Sequence, residues 1–92
     1  MVTAIVLINA QLDRIQAVGK AIAETDGVTA VYSVAGRYDL VAILKVPTLE
    51  EVEATIPGAL DRVPGVTASE TLVAFRTYSE AELDAAYDLG LD

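Results

Sequence analysis

The 92-residue sequence contains no histidine, cysteine or tryptophan. Without histidine, the chain lacks the side chain most often used for acid–base catalysis near neutral pH. Without cysteine, it offers no thiolate nucleophile, no disulfide and no thiolate ligand for zinc. The serines have no imidazole to activate them, and the isolated Gly36 and Gly58 do not form a glycine-rich phosphate loop. We therefore expect no catalytic residues, no metal and no cofactor, and predict that the chain is not an enzyme.

Basic residues are also scarce, with six Lys and Arg against fourteen Asp and Glu and a net charge of −8. Phosphate backbones and anionic lipids attract positive charge, so direct binding of nucleic acid or a membrane surface is not expected. Long apolar runs are missing too. No run is longer than residues 4–8, which are far fewer than the roughly 18–20 residues that span a bilayer. This run has no basic segment before it and no small-residue cleavage signature, so we do not expect it to be a signal peptide. The sequence therefore predicts a cytoplasmic protein.

Apolar residues are abundant, at 53% of the chain, with a mean hydropathy of +0.45. A domain of this size has a large surface for its volume and cannot bury all of this material within one copy. The composition therefore favours self-association.

Hydrophobic periodicity alternates between strand and helix patterns along the chain. It predicts strands over residues 2–8, 28–35, 40–46 and 67–76, and helices over about 10–24, 48–63 and 79–89. Thr48 and Glu51 form a capping box at the start of the second helix, and Pro57 should kink or divide that helix. This βαββαβ order predicts a ferredoxin-like α+β fold with both main helices on one face of the sheet. Residues 1–76 form this domain, and residues 77–92 are an acidic helical extension of it.

The second face of the predicted sheet is apolar as well. In the third strand, Leu40, Ala42 and Leu44 alternate with Val41 and Ile43. A helix layer covers one face only, so we expect the second face to be buried by face-to-face pairing of two sheets.

The short connection Gly36-Arg37-Tyr38-Asp39 has the composition of a tight hairpin turn. Its backbone N–H groups could hold the carboxylate of a zwitterion while Asp39 meets its ammonium group. Alternatively, Asp39 only accepts hydrogen bonds from its own turn. The polar run Ser69-Glu70-Thr71 in the fourth strand either reaches a ligand or faces solvent.

Together these segments resemble the effector-binding domain of Lrp/AsnC transcription regulators, also called the regulation-of-amino-acid-metabolism (RAM) domain. Residues 34–40, VAGRYDL, are similar to its hairpin motif, and residues 64–73, PGVTASETLV, to its fourth strand. The resemblance covers Met1 to about Arg76. Since Met1 opens the first strand, the resemblance is to a stand-alone form of the domain, without the helix-turn-helix domain.

The resemblance implies a ferredoxin-like subunit that pairs into a dimeric α/β barrel, and dimers that assemble into a larger ring such as an octamer. It also implies an amino acid or related effector at the subunit interfaces and full-length Lrp/AsnC regulators as partners. The effector would contact two groups of residues: Gly36, Arg37, Tyr38 and Asp39 in the hairpin, and Ser69, Glu70 and Thr71 in the fourth strand.

Two alternatives remain open from the sequence. Dimeric ferredoxin-like barrels also include small monooxygenases and isomerases, so the fold alone does not exclude an enzyme. A structural oligomerisation module that binds no ligand is the second alternative.

Overall fold

The computed structural model describes residues 1–78, in which four strands form one antiparallel sheet. The strands are β1 (Val2–Ala10), β2 (Val28–Ser33), β3 (Leu40–Val46) and β4 (Val66–Ala74). Their order across the sheet is β2-β3-β1-β4, so the first strand lies inside the sheet and the second and fourth form its edges. The predicted ferredoxin-like α+β fold is confirmed.

Two α-helices connect the strands, α1 (Ile15–Ala23) and α2 (Leu49–Gly58). The predicted cap of α2 is present, because the Glu51 backbone N–H donates to the Thr48 hydroxyl at 3.2 Å. The predicted division at Pro57 is also present. The helix ends one residue later, and a short 3-10 turn, Leu60–Arg62, follows it in place of further α-helix.

The hydrophobic core lies between the two helices and one face of the sheet. The helices contribute Val18 and Ile22 from α1 and Val52 and Ile56 from α2. The sheet contributes alternate residues of its two central strands, which are Ala4, Val6, Ile8, Leu40, Ala42, Leu44 and Val46. Both helices therefore cover the same face, as the βαββαβ order requires.

The opposite face of the sheet, which we call the open face, has no cover among residues 1–78. Cross-strand partners share a face, so the register assigns Ile5, Leu7, Tyr32, Val41, Ile43, Glu70 and Leu72 to it. Most of these side chains are apolar, yet Tyr32 is 57% exposed and Leu72 is 47% exposed. The prediction that both faces are apolar is confirmed.

Several predicted boundaries were wrong. The first helix begins at Ile15, not near residue 10, because β1 continues to Ala10 and a 3-10 turn follows it. Leu12, which falls inside the predicted helix, lies in this turn and is 89% exposed. The second strand ends at Ser33, two residues early, and β4 covers 66–74. The helix expected from residue 79 lies outside the described residues.

Candidate functional site

The β2–β3 hairpin is held against the end of β1 by backbone hydrogen bonds. The Val34 N–H donates to the Asp39 carbonyl at 3.1 Å, and the Asp39 N–H donates to the Ile8 carbonyl at 2.9 Å. Gly36 has φ of 134°, a conformation that other residues rarely adopt, and this permits the turn. The connection is longer than the sequence suggested, since it includes Val34 and Ala35.

The carboxylate of Asp39 has a structural partner outside its own turn. Its Oδ2 accepts a hydrogen bond from the Ala10 backbone N–H at 2.9 Å. Ala10 lies where the β1–β4 register shifts, so the carboxylate satisfies a backbone donor at an irregular point of the sheet. Asp39 therefore fixes the start of β3 to the end of β1, a role that neither interpretation of the hairpin sequence included.

Tyr38 joins the hairpin to the fourth strand across the open face. Its hydroxyl donates to Oε2 of Glu70, whose partner in the neighbouring strand is Leu7. Since β1 lies between β3 and β4, the phenol reaches over β1 to make this contact. The hydrogen bond to Glu70, followed by desolvation and the Glu70 charge, raises the pKa of Tyr38 above its ordinary value. The guanidinium of Arg37 lies over the Tyr38 ring, 5.8 Å from its centroid, and opposes this rise.

The other two fourth-strand residues of the predicted site lie on the opposite face of the sheet. Ser69 is the partner of Ile8 in the register, and Thr71 that of Val6, and both partners are core residues. The Ser69 hydroxyl donates to Oδ1 of Asp61 at 2.6 Å. The structure therefore brings Tyr38 and Glu70 together on the open face and separates Ser69 and Thr71 from them.

Sequence reasoning missed Asp61. This residue belongs to the 3-10 turn that follows α2, and it reaches Ser69 only because that turn leads directly into β4. The division of the helix after Pro57 was the one available signal that residues near 61 leave helical geometry.

The hairpin also presents backbone donors. Within residues 1–78, the N–H groups of Gly36, Arg37 and Tyr38 donate to no carbonyl and no side chain. Beside them are the guanidinium of Arg37 and the carboxylate of Glu70, which is exposed. This end of the open face therefore combines donors suited to an anion with a carboxylate suited to a cation.

Residues 1–78 contain neither a metal cluster nor a membrane span. No group of three Asp and Glu side chains in this range lies close enough together to hold a metal ion. None of the helices in this part of the chain has the length and apolarity needed to cross a membrane.

The profile of a family described as the Lrp/AsnC ligand binding domain matches residues 3–83. The chain belongs to this family. The resemblance carried by the hairpin and fourth-strand motifs is thereby confirmed.

Two relatives of the Lrp/AsnC domain show how it occurs elsewhere. An uncharacterized HTH-type transcriptional regulator of Pyrococcus horikoshii is 35% identical over 78 residues, which are 85% of this chain and 52% of the regulator. The chain thus spans about half the length of that curated relative. The crystal structure of TTHA0845 from Thermus thermophilus is 45% identical, with a TM-score of 0.82, and the match covers 87% of this chain and 100% of that one.

The fold also occurs in an enzyme. The siroheme decarboxylase NirDL matches 82% of this chain and 26% of its own, with a TM-score of 0.73 and 24% identity. At that identity the likeness shows the fold alone. The family and the named relatives indicate a regulatory domain.

Proposed function

We propose that this Lrp/AsnC domain senses an amino acid or a closely related molecule, self-associates through its open face and acts in transcriptional regulation of amino acid metabolism without contacting DNA itself. The observation that carries the proposal is the hairpin end of the open face. There, backbone N–H groups with no partner among residues 1–78 lie beside Arg37 and the Tyr38–Glu70 pair.

The charges at this end match those of a zwitterion. The N–H groups of the hairpin and the guanidinium of Arg37 are donors for a carboxylate. The carboxylate of Glu70 and the second oxygen of Asp39 are acceptors for an ammonium group. Tyr38 holds Glu70 in place, and the apolar open face begins directly beside this pair. If the bound amino acid has an apolar side chain, that side chain would contact the apolar residues of the open face.

Self-association would explain why the open face is largely apolar and has no cover among residues 1–78. Its residues form two central rows on β1 and β3, flanked by Tyr32 at one edge and Leu72 at the other. Contiguous apolar patches on soluble domains mark interaction sites. A second copy offers the same surface, and a two-fold axis would pair like with like in a dimeric α/β barrel. The hairpin site then lies at the border between two copies, where assembly and ligand binding affect one another.

The proposed absence of DNA contact rests on charge. A net charge of −8 repels a phosphate backbone. Influence on transcription would then come through full-length Lrp/AsnC regulators, by mixed assembly with them. Rings of dimers such as an octamer are part of this proposal.

Calorimetric titration with each of the twenty amino acids, carried out on the native chain and on the Arg37→Ala variant, tests the proposal. Arg62→Ala is the matched control, because it removes the same charge from the exposed turn after α2. We expect at least one amino acid to bind, with affinity reduced in Arg37→Ala and unchanged in Arg62→Ala. If no amino acid binds, or if both variants lose affinity equally, the hairpin is not the site.

A further inference from the structure

A groove on the helix side of the sheet takes no part in the site described above. It runs between α1 and the edge strand β2, and its volume is about 620 Å³. We call it the α1–β2 groove. It is lined by Leu12, Asp13, Ile15, Gln16, Gly19, Lys20, Ala23, Val31, Ser33 and Leu40.

Gly19 keeps this groove open. Glycine is less favourable than alanine inside a helix, and Gly19 is not among the glycines with positive φ. A Cβ at this position would lie 3.4 Å from Cδ2 of Leu40, which is an ordinary contact. Neither backbone geometry nor crowding therefore requires glycine here. Without a side chain at this position, the apolar part of the groove lining that remains accessible is the half-buried Ile15 and Leu12, which is 89% exposed.

The residues that follow β4 carry the apolar surface that such a groove would accept. Phe75 is 100% exposed and Tyr78 is 73% exposed. Between them, the guanidinium of Arg76 lies 6.0 Å from the Tyr78 ring centroid. We call residues 75–78 the β4 arm. Val73, two residues before Phe75, lies on the helix side of the sheet and not on the open face.

The β4 arm cannot fill the groove of its own chain. The strand order places β4 and β2 at opposite edges of the sheet, three strand spacings apart, or roughly 14 Å. Phe75 directly follows Ala74, the last residue of β4, and one extended residue spans only about 3.5 Å. Phe75 therefore does not reach the groove of its own chain.

We propose that Phe75 of one copy docks in the α1–β2 groove of a second copy. Arg76, next to Phe75, would meet Asp13 at the rim of that groove. The contact joins two different surfaces, so it continues from copy to copy and closes into a ring when the rotation allows. It is separate from the open face, which joins like to like under the proposed function.

The size of the contact determines when it forms. One buried aromatic ring accounts for roughly 150–250 Å², well below the roughly 1,000 Å² that a specific interface needs. A single arm therefore does not hold two free subunits together. When open-face dimers are already present, each dimer offers two arms and two grooves, and the contacts reinforce one another.

The test uses the absence of native cysteine. One preparation carries Phe75→Cys and a second carries Gln16→Cys, in the groove lining. They are mixed and treated with a short bismaleimide. The control mixture replaces the second preparation by Glu53→Cys, an exposed residue of α2 outside the groove. We expect several-fold more mixed cross-linked product with Gln16→Cys than with Glu53→Cys. Equal yields would overturn the proposal.

Native mass spectrometry then separates this contact from the open face. Phe75→Ala should lose species larger than the dimer and keep the dimer, while Thr77→Ala, in the same arm, should keep both. Loss of the dimer itself in an open-face variant reports on the proposed function instead. Species larger than the dimer that persist unchanged in Phe75→Ala would contradict docking of the arm.

Discussion

Two replacements of Asp39 should separate its contribution to folding from its proposed contribution to ligand binding. In the native chain, Oδ2 of Asp39 accepts from the Ala10 N–H at 2.9 Å. Alanine removes that acceptor. Asparagine keeps a carbonyl oxygen in nearly the same place and removes only the negative charge.

The expected magnitudes differ between the two variants. Asp39→Ala leaves the half-buried N–H of Ala10 without a partner, which costs about 1–3 kcal/mol of unfolding free energy. For a domain of 60–100 residues, each kcal/mol lowers Tm by roughly 4–8 °C. Asp39→Ala should therefore lower Tm by at least about 4 °C. Asp39→Asn keeps a neutral acceptor and loses only the charge-assisted part of the bond, so its Tm should lie between those of the native chain and of Asp39→Ala.

Thermal unfolding followed by circular dichroism measures the first contribution, at one fixed protein concentration because association also stabilises the fold. Calorimetric titration with the amino acid that binds best measures the second. Both variants should lose affinity, since neither presents a negative charge to an ammonium group. Equal destabilisation by the two replacements would refute the acceptor argument. Full affinity in Asp39→Asn would refute the ammonium contact and leave Asp39 a folding role only.

Three further predictions concern the turn before β4, the open face and the Tyr38–Glu70 pair. Gly65→Ala should lower the free energy of unfolding by about 1–3 kcal/mol in chemical denaturation. The φ of Gly65 is 105°, and a Cβ there would lie 2.9 Å from a side-chain atom of the 3-10 turn that precedes α1 and 2.9 Å from one of α1 itself. Gly58→Ala, which meets nothing within 4 Å, should not lose stability. Ile43→Asp should weaken dimers at least about tenfold in sedimentation velocity, since a charge would be buried without a partner. Glu70→Gln should lower the raised pKa of Tyr38 toward its ordinary value of 10.0 in a ¹³C NMR titration. Because the folded-state pKa is raised, this pair stabilises the fold below about pH 10 and loses that effect as pH rises through the folded value.

The element order was predictable because each element carries its own periodic signal. Short runs rich in apolar and β-branched residues define the strands. Thr48 with Glu51 marks the start of α2 by a purely local hydrogen bond. Leu12 shows where this reasoning stops. It has helical spacing from Ile15, but β1 runs on to Ala10 and leaves Leu12 exposed in a turn.

The site was predictable in composition but not in arrangement. The hairpin motif indicated Asp39, yet its partner Ala10 is 29 positions away and contributes a backbone group that no side-chain pattern reports. Ser69 and Glu70 were grouped by adjacency, and strand alternation puts them on opposite faces. Tyr38 and Glu70, 32 positions apart, meet only because β1 lies between their strands.

The central position of β1 also determines where the chain enters and leaves the sheet. Thr3, near the start of β1, pairs with Ala74, the last residue of β4, and their Cα atoms are roughly 5 Å apart. The segment 3–74, whose two ends meet in this way, could be inserted into a loop of another protein, or have these ends joined and a new opening cut elsewhere, with little disturbance of the core. The β2–β3 hairpin is the least suitable place for that opening, since Asp39 fastens it to β1.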